Sequence, residues 1–260
     1  QLNAIAIGFE VMTTPVGAPH AAPGAWWSDS TFYIALLLAG FTVAFGTRHL
    51  DTTERHEGMV AAIAFESVVK LAAFLAVGIF VSWGMFDGPG DLFARARALP
   101  EAVRVLRFEA DTGFAGAQWF TLLLLSMFSV VFLPRQFQVL VVENVDERHL
   151  KRAVWAFPLY MLAINLFVLP IALAGLLHFG PGRVNAETFI LTLPLSMGSN
   201  TLALVAFIGG LSAATGMVIV EAITLSTMVC NDLVMPVLLR IKMFRLTAQR
   251  DLSSLLLDIR

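Results

Sequence analysis

Charge is what this chain has least of. Only 14% of its 260 residues are Asp, Glu, Lys or Arg, against 58% hydrophobic, and the mean hydropathy is +0.79. A water-soluble domain carries roughly a quarter charged residues, so the composition excludes an ordinary soluble fold and points to an integral membrane protein. The 19 Gly and 21 Phe fit that reading, glycine being better tolerated in membrane helices. Cysteine is nearly absent. Cys230 stands alone, which excludes an intramolecular disulfide and a cysteine-based zinc site. The net charge of -2 singles out no partner. An initiating Met is also missing, and Gln1–Met12 reads as the tail of an apolar helix, not as a signal peptide with a basic n-region. The expectation is a segment, truncated at both ends, of one larger transmembrane domain covering residues 1–260.

Catalytic signatures are missing too. There is no G-x-x-x-x-G-K-[ST] phosphate loop and no G-x-G-x-x-G after a strand. "HEGMV" at His56 begins like a zinc-binding H-E-x-x-H but ends in Val60, and His49 and His56 lie among Arg48 and Arg55. Two ligands beside two cations are too few for a metal.

What is present are long apolar runs. A span needs about 20 mostly apolar residues, and after the first helix the candidates are Ser30–Gly46, Glu57–Phe86, Gly116–Glu143, Ala153–Phe179 and Asn200–Leu239. Polar segments separate them at Thr13–Asp29, Thr47–His56, Asp87–Ala115, Asn144–Arg152 and Gly180–Ser199. The expected fold class is therefore an all-α membrane protein. Runs such as "WFTLLLLSMFSVVFL" lack the polar face of a soluble amphipathic helix. Arg48, Arg55, Arg148, Lys151, Arg152, Arg240, Lys242, Arg245, Arg250 and Arg260 fall on one side of the alternating scheme. Arg95, Arg97, Arg104, Arg107 and Arg183 fall on the other. The positive-inside rule then places the C-terminus, with its basic amphipathic segment 240–260, in the cytoplasm of a multi-pass inner-membrane protein. Residues 87–115 form an extracytoplasmic amphipathic segment, expected to rest on the outer membrane surface.

Polar groups inside apolar spans are functional-site hypotheses by default. Glu66 and Lys70 are four apart and are expected to form a self-neutralised intramembrane ion pair. Asn165, between Pro158 and Pro170, suits an interhelical hydrogen bond. Pro134 should bend or break its span. That break either exposes backbone to a substrate at mid-membrane, as in many secondary transporters, or ends a helix with Arg135 reaching the cytoplasmic surface. In the last span, Gly209-Gly210, Ser212, Thr215 and Gly216 invite close approach of a neighbouring helix. Their oxygens could meet a monovalent ion or a substrate, or simply bond one turn back along the helix; packing is the simpler reading.

Three stretches, "FGTRHLDTT", "FLPRQFQVLVVENVDERHLKRA" and "GGLSAATGMVIVEAITLSTMVCNDLV", resemble the sodium/solute symporter family. The resemblance is strongest to the symporter-like membrane domain fused to bacterial sensor histidine kinases of the CbrA type. It implies a partial LeuT-type helix bundle built of inverted five-helix repeats. The spans at Ser30 and Glu57 would be helices four and five, and the one broken at Pro134 would open the second repeat. It also implies roles. Asp51 matches a residue of ion coupling or gating, and Arg135, Gln136, Ser212 and Thr215 become candidate substrate contacts. The family's sodium-binding hydroxyl pair falls on Gly216-Met217, leaving Thr215 alone nearby. Sodium is then in doubt as coupling ion, a proton is open, and Glu221 is a protonatable candidate. ATP would be needed only by a kinase domain beyond Arg260.

Two functions follow as expectations. The first is the input domain of a two-component sensor histidine kinase, binding a small solute such as the amino acid histidine and signalling to a C-terminal kinase and its response regulator. The second is a stand-alone sodium- or proton-coupled symporter. A bare anchor would not carry polar groups inside its spans. The partners are the lipid bilayer and a small solute, with no nucleic acid.

Overall fold

The computed structural model describes residues 2–13, 30–46, 57–106, 115–137, 140–141, 144 and 146–240. All regular structure among them is helical. In chain order the elements are α1 (Leu2–Thr13), α2 (Ser30–Gly46), α3 (Glu57–Ile79), α4 (Pro89–Arg97), α5 (Pro100–Leu106), α6 (Ala115–Phe132) and α7 (Pro134–Phe137). They continue with α8 (Glu147–Asn165), α9 (Val168–Phe179), α10 (Phe189–Ser196), α11 (Asn200–Met228) and α12 (Met235–Arg240). π-Helical turns, Phe80–Met85 and Val229–Val234, extend α3 and α11.

Among the described residues, three helical stretches are long and apolar enough to cross a membrane: Val60–Met85, Arg148–Phe179 and Asn200–Val237. Their outward faces are apolar, with Phe65 72% and Leu162 67% exposed, as suits helices able to cross a membrane. Of the five expected spans, the one at Ser30 folds as α2 with the expected bounds, Ser30–Gly46, and the one at Gly116 runs as α6, Ala115–Phe132, before Pro134.

Two of the breaks fall at prolines, although Pro158 and Pro194 lie inside α8 and α10. Pro170 sits in the first turn of α9, and the interruption falls at Leu166–Phe167, where its ring would meet the carbonyl four residues back. Pro134 interrupts its span at Leu133, although Leu133 N donates to the Ser129 carbonyl (3.2 Å) and Phe137 N to the Leu133 carbonyl (3.0 Å). Asn165 donates to the Met161 carbonyl of its own helix at 2.7 Å and is exposed. The expected interhelical bond from Asn165 is thus corrected: its side chain bonds one turn back along its own helix.

One end of the bundle holds the core. Val77 and Val81 at the end of α3 pack with Leu92 and Ala96 of α4 and Ala102 of α5. Phe167, Ile171, Leu173 and Ala174 around α9, and Phe189, Leu191 and Leu193 of α10, complete it. Residues 87–106 and 180–199 therefore lie at the same end, as the alternating scheme requires. Two expectations change. The apolar face of α4 and α5 is covered by α9 and the π turn, not by membrane, because Leu92, Ala96 and Ala102 are fully buried in protein. The 180–199 segment is not merely polar: "FILTLPLS" folds as α10, with Phe189 and Leu191 through Pro194 buried.

Glycine permits two of these junctions. Gly88, with φ 106°, donates its N–H to the Ser82 carbonyl (2.9 Å) and turns the chain into α4. Gly78 lies so close to Phe167 that any Cβ there would overlap the ring and its Cβ.

Candidate functional site

The most extensive helix contact in the molecule is between α3 and α11. Small residues set its closeness. A Cβ on Gly209 would stand 2.8 Å from the Ala73 Cβ and 3.6 Å from the Lys70 Cα. Two turns along α11, a Cβ on Gly216 would fall on the Glu66 carboxylate. Ala73 pairs with Gly209 and Glu66 with Gly216, so the two helices run antiparallel, each advancing seven residues between contacts. Seven residues are close to two helical turns, which keeps both contacts on one face. Ser212 lies between the glycines on that face and is half-buried.

The structure separates the two charges that sequence spacing paired. Glu66 and Lys70 stand one turn apart on α3, but the Glu66 carboxylate is lodged against Gly216. Lys70 instead lines a cavity of about 330 Å³ between α1, α3, α10 and α11. Among the described residues, no hydrogen bond and no ion pair within 4.0 Å takes the Lys70 ammonium. The cavity wall is otherwise apolar, apart from Glu187 and Thr188 in the short 3₁₀ turn Ala186–Thr188. Thr188 is buried, its hydroxyl donating to the Asn185 carbonyl at 2.8 Å. Glu187 is exposed.

The remaining candidates divide. Thr215 donates its hydroxyl to the Leu211 carbonyl at 2.7 Å, one turn back along its own helix. Gln136 is half-buried on α7, which packs against α11. Glu221 is exposed on α11, beyond the crossing. Asp51 lies outside the described residues, as does the side chain of Arg135. The crossing thus gathers Glu66, Lys70 and Ser212, leaves Thr215 bonded within its helix, and leaves Glu221 aside.

Two positions were not singled out from sequence as contacts of the site: Glu187 and Tyr160. Tyr160 Oη donates to the Ser67 carbonyl at 3.3 Å, tying α8 to α3 one residue past Glu66. A tyrosine in an apolar run is a usable signal, since its hydroxyl requires a partner when buried. Nothing local to Glu187 announces that its turn folds back over the bundle.

Among the described residues, no three His, Cys, Asp or Glu side chains gather to hold a metal ion. The crossing offers one carboxylate and one ammonium in a wall of small and apolar groups, with the π turn at Val229–Val234 further along α11. Such turns recur at functional sites because they re-aim side chains within a helix. Comparison with protein-family models, curated proteins and solved structures finds no match to this chain.

Proposed function

We propose that the chain is a solute-binding transmembrane domain of the sodium/solute symporter type, of the kind joined to sensor histidine kinases. The observation that supports it is the α3–α11 crossing, where Glu66 and Lys70 sit within apolar helices beside a cavity. Charged groups in a span are costly and are retained where they meet a substrate, an ion or a proton. A structural anchor gains nothing from them.

In this reading a solute occupying the cavity favours one arrangement of α3 against α11. Occupancy shifts the balance only by its differential affinity for the two arrangements, of order 1–3 kcal/mol for a typical coupled pair. The shift passes along α11 towards a kinase after the last span, and from it to a response regulator.

The second reading is a stand-alone coupled symporter, and Glu66 favours it. One carboxylate takes up one proton, whereas a hard metal cation collects several oxygens. At the crossing Glu66 is the carboxylate and Ser212 is a half-buried hydroxyl. The coupling ion in this reading is therefore a proton before sodium.

The test is uptake and binding of labelled solutes by the protein in proteoliposomes under imposed sodium or proton gradients. Binding with proton-driven uptake supports the symporter, and binding without uptake supports the sensor domain. The absence of binding across amino acids, carboxylates and sugars would contradict both.

A further inference from the structure

We propose that the cavity between α1, α3, α10 and α11 binds a small organic monocarboxylate with an apolar body, its carboxylate against Lys70. This names the solute class for the reading above and rests on it. Three observations converge. The cavity, at about 330 Å³, lies at the small end of the range for ligand sites, roughly 300–1,000 Å³. Its wall is mostly apolar, with Phe74, Leu191 and Phe207 among its larger side chains. Its one cation is Lys70, in the span Val60–Met85, whose ammonium has no hydrogen-bond or ion-pair partner among the described residues.

An ammonium inside a span is stabilised by an anion that shares its low-dielectric surroundings. The nearest carboxylate on its own helix, Glu66, is turned to Gly216 and makes no ion pair with the ammonium within 4.0 Å, which leaves a direct contact open to a ligand's carboxylate. The apolar wall then covers the rest of the molecule. Glu187 adds selectivity. It lines the same cavity with a negative charge and is exposed. A second carboxylate on the ligand would meet it with like charge, whereas an ammonium or an apolar group would not. The ligand is therefore a monocarboxylate, with or without an amino group, and not a dicarboxylate.

The experiment is calorimetric titration of the full chain in phosphatidylcholine nanodiscs with 3-phenylpropionate, L-phenylalanine and phenylsuccinate. Saturable binding of at least one of the first two is expected, with phenylsuccinate weaker by about tenfold or more. Lys70→Gln should weaken binding by about tenfold or more while Lys70→Arg, which keeps the cation, retains it. Gly210 lines the cavity, and a Cβ there would meet nothing within 4 Å. Gly210→Leu therefore starts its side chain in open space and extends into the cavity, and should abolish binding with little change in melting temperature. This second variant decides the matter should Lys70→Gln fail to fold. Failure of both monocarboxylates to bind the wild type overturns the proposal, as does binding that neither variant changes. Gradient-driven uptake of some other solute, untouched by Gly210→Leu, would keep the solute-binding reading and discard this cavity and ligand class.

Discussion

The two halves of the span Val60–Met85 meet their neighbours in opposite ways. From Val77 to Met85 the helix enters a continuous apolar core with α4, α9 and α10, and Val77 and Val81 are fully buried. From Glu66 to Ala73 it meets α11 through glycines, with a carboxylate and an ammonium at the contact and a cavity alongside. Both contacts are close, but they depend on different things. The first is filled by groups that have nowhere else to go, and it contributes stability. The second leaves charge, space and small residues together inside apolar helices, which costs stability and suits binding.

One substitution made in both halves sharpens the contrast. Gly78→Ala places a Cβ into the ring and Cβ of Phe167, itself held in the core. Overpacking of this kind costs about 1–3 kcal/mol, and a clear drop in melting temperature in detergent is the expected result. Gly216→Ala drives its Cβ only into the far end of Glu66, a flexible side chain that can swing aside. Its melting temperature should fall much less than that of Gly78→Ala, while solute binding or its pH dependence changes. Equal losses of stability from the two would erase the distinction between the halves.

A smaller effect is expected beyond the spans. In α4, Arg95 Nε donates to Asp91 Oδ1 at 2.9 Å and a second contact to Oδ2 spans 2.8 Å. The hydrogen bond from Arg95 is the main cause holding the Asp91 carboxyl below its usual range. A depressed carboxylate contributes stability above its unfolded-state pKa and loses it as pH falls through the folded-state value. Asp91→Asn should therefore flatten the acid side of the melting-temperature profile and change little at neutral pH, the pair being solvent-screened. A large loss at pH 7 would contradict this.

Much of the helical frame was legible because it is local. The runs at Ser30, Glu57 and Asn200 became helices, and Pro134 interrupts its span within a turn, since a missing donor and a ring clash act on near neighbours. α10 was not legible: "FILTLPLS" is too short to span and is flanked by polar residues, so only its burial against α9 and α11 reveals it. The site divides along the same line. That Glu66 and Lys70 sit one turn apart was readable from their spacing. That Glu66 faces Gly216 instead was not, because the register of α3 on α11 is set by where Ala73 and Gly209 allow closest approach.

The most direct test of the crossing as a functional site is solute uptake into proteoliposomes under an imposed proton gradient, comparing wild type with Glu66→Gln. The substitution keeps the shape lodged against Gly216 and removes the exchangeable proton. Uptake that responds to the gradient in the wild type and no longer does so in Glu66→Gln, at an unchanged melting temperature, is the predicted result. A gradient response identical in both proteins would contradict the account.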